Sequence, residues 1–158
     1  MSKGFTLFEL IVVVVILAIL SVMAFPALSD YIKRTQLKIT QGEITDFVQQ
    51  MRTDAIKSGQ NLVLCASLDG ETCKQSEQTD WSSGLIAHGE KETNRVIAQL
   101  MFSNRHLSIV SSDTIEFTNL GTAKDQYQIQ VGMLGQNEVN ICIDVSGHVN
   151  QKETCNDE

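Results

Sequence analysis

The sequence predicts an α+β protein in which a long N-terminal helix packs on an antiparallel, β-rich C-terminal head. Three observations carry this. Residues 5–28 hold 20 hydrophobic residues out of 24. Residues 29–58 place apolar side chains at helical spacing. From Asn61 onward the chain breaks into short alternating runs separated by turn residues. The chain has 158 residues, 42% of them hydrophobic, and a net charge of −7. That average describes neither part, because residues 29–158 are only about 35% hydrophobic (46 of 130). The length suits one domain with an appendage. The hydrophobic content excludes disorder throughout. One proline and ten glycines exclude collagen-like and proline-rich classes.

The first element is the apolar segment, residues 5–28. As a helix rising ~1.5 Å per residue it spans roughly 36 Å, enough for a bilayer core of about 30 Å. In lipid a helix satisfies its own backbone groups, which offsets the weak helix propensity of its many Val and Ile residues. Pro26 is expected to kink this helix rather than end it. A plain single-pass anchor and a cleaved signal peptide both compete here. Lys3 is a minimal basic region, and Val22-Met23-Ala24 is a small-residue cleavage candidate. Glu9 argues against both. A carboxylate inside a membrane segment costs about 2.5–3.5 kcal/mol, and such residues usually have a partner and a function.

The second element, residues 29–58, continues the helix. Leu37, Ile44, Val48, Met51 and Ala55 recur on one stripe, widened by Phe47. Asp46, Gln49, Gln50, Arg52 and Asp54 fall on other faces. The stripe is expected to pack on the head of the same chain rather than on a partner helix. Ser58-Gly59 is the stop signal. Lys33, Arg34 and Lys38 cluster just past the apolar segment, where they suit anionic headgroups, neighbouring subunits or plain solvent.

The third element is the head, residues 59–158. Candidate strands are 62–66, 84–88, 95–102, 107–110, 114–118, 127–132 and 139–145. The clearest alternations are Tyr127/Ile129/Val131 and Val139/Ile141/Ile143/Val145. Leu68-Asp69-Gly70, Asn119-Leu120-Gly121 and Ser146-Gly147 supply turns. Trp81 reads as a core anchor.

Cys65, Cys73, Cys142 and Cys155 all follow the apolar segment, which places them in an oxidising compartment. Four cysteines allow three pairings. The local pairs Cys65–Cys73 and Cys142–Cys155 are preferred, because each closes a short loop, worth up to ~3 kcal/mol in the chain-entropy model. The second pair would tie down the acidic tail, residues 153–158. Zinc is the alternative, but no C-x₂-C occurs and the histidines are scattered at 88, 106 and 148. No metal and no cofactor are expected. No nucleophile elbow, P-loop or HExxH is present, and Asp69, Glu71, Glu90 and Glu92 read as loop acids. No catalytic residue and no enzyme activity are predicted.

Gly4-Phe5-Thr6-Leu7-Phe8-Glu9-Leu10, followed by about twenty apolar residues, resembles the class III signal of type IV prepilins. That pattern is a short basic leader ending in Gly, then Phe-Thr-Leu-x-Glu, then the apolar helix. The resemblance implies a pilin fold, with residues 1–4 as the leader. It implies cleavage between Gly4 and Phe5 by a prepilin peptidase, N-methylation of Phe5, and insertion in the inner membrane. Filament assembly would follow, with residues 5–28 as the filament core and residues 29–58 as the stem. Glu9 would then pair with the Phe5 amine of a neighbouring subunit. Each charge is costly alone in an apolar bundle, so the pair would set the register between subunits.

Looser matches cover most of the head: Ala55-Ile56-Lys57-Ser58-Gly59, Leu62-Val63-Leu64-Cys65, Trp81-Ser82-Ser83-Gly84-Leu85, Ile115-Glu116-Phe117 with Gly121, and Ile141-Cys142-Ile143 with Ser146-Gly147. Together they resemble the FimT/FimU minor pilins, whose domain is also named for the GspH pseudopilin. The implied role is a structural minor pilin in a tip or priming complex of a type IV pilus, supporting twitching, adhesion or DNA uptake. Implied partners are other minor pilins, the major pilin, the prepilin peptidase and methyltransferase, and the inner-membrane assembly platform. Before assembly the head would lie in the periplasm, and afterwards in a pilus fibre or periplasmic pseudopilus. A GspH-like pseudopilin of type II secretion is the neighbouring alternative. A FimT-like DNA receptor is another, marked in that branch by a Gly-Arg-x-Arg motif after the last strand. Here the corresponding residues are Gly147-His148-Val149-Asn150, without either arginine. Residues 59–158 also hold 6 Lys/Arg against 14 Asp/Glu, a charge of −8. Long-range repulsion from DNA is expected, so nucleic acid is not an expected partner.

Overall fold

The computed structural model describes residues 6–74, 79–104, 106–152 and 154–155, with backbone only at 23, 24, 26, 27, 93 and 94. The chain divides into two compact units, Met1–Gln36 and Leu37–Glu158. One helix, α1 (Leu7–Ser58), contributes to both. In the first unit its hydroxyl side chains bond back to the helix itself. Ser21 Oγ donates to the Leu17 carbonyl at 2.7 Å, and Thr35 Oγ1 to the Tyr31 carbonyl at 2.9 Å. Such i−4 bonds hide a polar group on an otherwise apolar helix.

In the second unit the stripe is buried. Ile44, Val48, Met51 and Ala55 have no exposed surface, and Leu37 and Phe47 are nearly covered. Gln41 completes the buried face. Ser58 Oγ donates to the Asp54 carbonyl at 2.6 Å. Gly59 then takes φ +65°, the left-handed conformation that ends a helix.

Two four-stranded antiparallel sheets follow, as the alternating runs imply. The strands are β1 (Leu62–Ala66), β2 (Gly84–Gly89), β3 (Glu92–Met101), β4 (Leu107–Ser111), β5 (Ile115–Phe117), β6 (Tyr127–Met133), β7 (Val139–Ile143) and β8 (Val149–Lys152). The first sheet has the order β3-β2-β1-β5, and the second β4-β6-β7-β8. The chain therefore visits the second sheet with β4, returns with β5, and leaves again with β6. Leu62, Leu64, Leu85, Ile115 and Phe117 from the first sheet share one apolar cluster with Ile109, Ile129, Val131, Ile141 and Ile143 from the second and with the helix stripe. Full burial of such a side chain contributes about 1.5–3 kcal/mol. Trp81 lies wholly inside this cluster.

Two features were not visible in the sequence pattern. Strand β8 was not expected, because only Val149 of its four residues faces inward. Residues 79–82 run beside the outer edge of β4. The Trp81 N–H donates to the Ile109 carbonyl at 2.8 Å, and the Ser111 N–H to the Thr79 carbonyl at 2.7 Å. This covers an edge that would otherwise invite pairing with another chain.

Arg52 ties the helix to two turns. Its Nε donates to the Gly121 carbonyl at 2.8 Å, and its Nη2 to the Ser146 carbonyl at 3.0 Å. The turns meet closely here. A Cβ on Gly147 would strike the Gly121 carbonyl oxygen and the Arg52 side chain. Asp144 orders the second turn, accepting from Ser146 Oγ at 2.6 Å and from the His148 N–H at 3.0 Å. These bonds, the Ser146 hydroxyl first, hold its carboxyl below the usual carboxylate range. Asp69 orders the turn after β1 in the same way. The Thr72 N–H and then the Glu71 N–H, both at 2.9 Å, hold its carboxyl well below the usual range.

Gly147 and Gly135 have similar positive φ values, +78° and +82°, but nothing lies within 4 Å of a Cβ placed on Gly135. Alanine at either position should lose about 1–2 kcal/mol from the left-handed backbone. Gly147→Ala should lose clearly more, read as a lower urea midpoint than for Gly135→Ala. The acids give a pH dependence of defined sign. A carboxyl depressed in the folded state stabilises fully above its unfolded value, about pH 4, and the benefit is lost as pH falls through the folded value. The urea midpoint should therefore drop below about pH 4, and Asp69→Asn should flatten that drop.

Candidate functional site

Of the residues expected to direct processing and assembly, Gly4 and Phe5 lie outside the described residues. Glu9 is described and occupies the first turn of α1. Thr6 is the N-cap. Its Oγ1 accepts the Glu9 N–H at 3.3 Å, and its carbonyl accepts the Leu10 N–H, also at 3.3 Å. Thr6-x-x-Glu9 is thus capping-box spacing, and it puts a negative charge where the helix dipole favours one. Glu9 has a local reason for its position besides the subunit pairing that the prepilin resemblance implies. This role was not expected from the sequence, although the Thr-x-x-Glu spacing of three residues is its signal.

Every described side chain from residue 6 to residue 22 is exposed. Leu7 and Phe8, the two residues between Thr6 and Glu9, are each about three-quarters exposed. Glu9 is therefore a lone carboxylate on a bare apolar helix surface. Among the described residues no helix is long and apolar enough to cross a membrane. The helical part of this segment with side chains described without a break is residues 7–22. That run is about 24 Å long at 1.5 Å per residue. The full segment 5–28 also includes Phe5 and the side chains at 23, 24, 26 and 27. Helix α1 does not end at Pro26, whose side chain lies outside the described residues.

In the second unit all four cysteines are paired. Cys65–Cys73 closes a separation of 8 residues, and Cys142–Cys155 one of 13. The first pair has a neighbour that the sequence did not reveal. His88 is buried, and its Nε2 lies 3.2 Å from Cys73 Sγ. Only the β1–β2 register brings His88 to Cys65 across more than twenty residues of chain, so scattered histidines gave no warning. The loop acids have structural partners. Asp69 orders its turn, and Glu90 accepts from Asn61 Nδ2 at 2.9 Å.

The region matching the DNA-receptor motif is also placed. Gly147 closes the β7–β8 turn, Val149 points into the core, and His148 faces outward with Asn150 half-buried. The two positions where that motif carries arginine are thus the outward-reaching ones, and here both are uncharged or weakly basic. Arg95 lies on β3 and Lys152 on β8, the outermost strands of different sheets. Arg95 has Glu92 beside it at 4.0 Å. Arg105 lies outside the described residues.

Comparison with known proteins agrees with this arrangement. Residues 1–25 match the prokaryotic N-terminal methylation motif. A type IV major alpha-pilin of Moraxella bovis is 34% identical over 93 residues, which cover 59% of this chain. The matched part is 51% of that pilin, so this chain spans about half the length of that relative. The crystal structure of the type IV minor pilin FimU of Pseudomonas aeruginosa, in space group P21, superposes with a TM-score of 0.61. That match is 16% identical and covers 78% of this chain and 98% of FimU. A second FimU crystal form, P65, gives a TM-score of 0.53 at 17% identity, over 73% and 96% of the two chains. At these identities the FimU likeness speaks to fold. With the prokaryotic N-terminal methylation motif over residues 1–25 and a long helix followed by antiparallel sheets as in FimU, the chain is similar to type IV pilins in its N-terminal signal and in its fold.

Proposed function

We propose that this chain is a structural minor pilin that enters a filament through its N-terminal helix and presents its head to other pilins. The observation that carries this reading is the bare apolar surface of residues 6–22 with Glu9 in its first turn. Such a surface needs a cover, first lipid and then the helices of neighbouring subunits. Cleavage after Gly4 would leave a cationic, methylated amine on Phe5. In an apolar bundle that amine and Glu9 of the next subunit neutralise each other, and neither is tolerated alone. The pairing therefore sets the axial register of an otherwise featureless greasy helix. Pro26 gives this helix a point of bending within the segment. The finer role is a FimU-like position in a tip or priming complex that starts assembly and supports twitching, adhesion or uptake. The fold likeness and the acidic head favour protein partners over DNA.

Mass spectrometry of the mature protein should find a methylated N-terminus at Phe5. A start near Phe25 would instead mean signal-peptide cleavage and sink the reading. Glu9→Val should leave membrane insertion intact yet cut incorporation into filaments by more than about tenfold, because breaking a buried ion pair costs about 3–5 kcal/mol. Normal incorporation of that variant would remove the pairing argument. In a salt-dependent mobility shift the protein should leave duplex DNA unshifted. Tight binding would transfer the assignment to the DNA-receptor class.

A further inference from the structure

The Cys65–Cys73 bridge and His88 form a cluster that the assembly role does not use. In the β1–β2 ladder Val63 pairs with His88 and Cys65 with Ile86. Cys65 and His88 therefore share one face of the sheet, diagonally across the two strands. It is the face turned away from the main core, since Leu64, Ala66, Leu85 and Ala87 fill the other. Residues 67–74 fold back over it. The Lys74 N–H donates to the Ala66 carbonyl at 2.8 Å, and the adjacent Cys73 Sγ meets His88 Nε2. The two sulfurs and a ring nitrogen lie within 4.8 Å of one another. Cys65 and His88 are buried, and Cys73 is half-buried.

The protonation pattern follows from the partners. His88 Nδ1 is 3.0 Å from the Gly89 carbonyl, which can only accept, so Nδ1 carries the proton. In the neutral ring Nε2 is then the nitrogen with the lone pair, and it faces Cys73 Sγ at 3.2 Å. A disulfide sulfur has no hydrogen to donate to it. A buried imidazole with one N–H held by a backbone carbonyl and the other nitrogen aimed at sulfur is oriented as metal-ligating histidines are.

We propose that reduction of Cys65–Cys73 turns this cluster into a three-ligand site for a thiophilic divalent metal ion of the zinc class. The ligands are Cys65 Sγ, Cys73 Sγ and His88 Nε2. A dithiol reductant delivers two electrons and two protons to the S–S bond and leaves as its own disulfide. The two new thiols release their protons to solvent as the metal–sulfur bonds form. Metal–sulfur bonds of about 2.3 Å in a tetrahedral site place the sulfurs about 3.8 Å apart. With the Cα atoms 5.6 Å apart, side-chain rotation supplies that separation. The half-buried side of Cys73 leaves the fourth position to water. Two thiolates and one imidazole suit zinc rather than magnesium or calcium, which prefer oxygen. Oxidation closes the site by consuming both thiolates. Among the described residues Cys142–Cys155 has no such histidine, so the molecule carries an internal comparison.

The test uses the full chain in detergent micelles with Co²⁺ as the probe. The protein is reduced with a dithiol, which is removed under anaerobic conditions before cobalt is added. A Cys142→Ser/Cys155→Ser variant leaves one thiol pair to report. One equivalent of Co²⁺ should bind, with a thiolate-to-cobalt charge-transfer band and the intense visible bands of a four-coordinate ion. Oxidised protein should show neither, and Zn²⁺ should bleach the bands. His88→Ala should weaken binding at least about tenfold, the scale already seen when an outer partner is lost. His88→Gln, which keeps a polar group in the pocket, gives the same readout should the alanine variant fail to fold. Absence of cobalt bands in the reduced protein overturns the proposal, as do bands that both His88 variants leave unchanged.

Discussion

Everything in the head depends on the burial of one helical stripe. Ile44, Val48, Met51 and Ala55 show no surface, and both sheets contribute side chains to the cluster around them. Each sheet is antiparallel, with one face toward this shared floor, and antiparallel sheets tolerate water on the other. The stripe also explains the chain path. Alternating visits to the two sheets by β4, β5 and β6 keep both in register over the same helix face. The turns at Gly121 and Gly147 both take left-handed backbone, and they pass so close to one another beside Arg52 that a Cβ on Gly147 would not fit.

The parts legible in the sequence were those set by local periodicity. The stripe spacing, the Ser58-Gly59 stop and seven strands all followed from side chains within a few residues of each other. What stayed hidden was set by pairing across distance. Strand β8 has three polar residues of four, and its place as an outer strand comes from the β7 ladder rather than from its own pattern. Residues 79–82 have no alternation, and their bonds to β4 give them order. His88 looked like any strand histidine until the register with β1 put it against Cys73. At the N-terminus, composition alone exposed the cost of Glu9, whereas its capping geometry with Thr6 needed the position of the first helical turn.

The two halves of the chain solve opposite problems. The head gathers apolar side chains of both sheets and the helix in one buried cluster, and acids such as Asp69 and Asp144 bond to their own turns. The N-terminal helix leaves its apolar surface bare and carries a single acid there. Lipid and protein helices offer an equivalent cover for such a surface, because neither contains water to be displaced at a cost. Transfer from bilayer to bundle is then decided by packing and by the few polar groups present. That gives one carboxylate an influence out of proportion to its size.

The Arg52 side chain has a mechanical meaning. One guanidinium grips the turn between β5 and β6, which joins the two sheets, and the turn between β7 and β8, which lies within the second. A pull transmitted along α1 would reach both turns through the same side chain. The load would be divided between hydrogen bonds to two carbonyls more than twenty residues apart. The helix is thereby fastened, through one residue, both to the link between the sheets and to the second sheet itself.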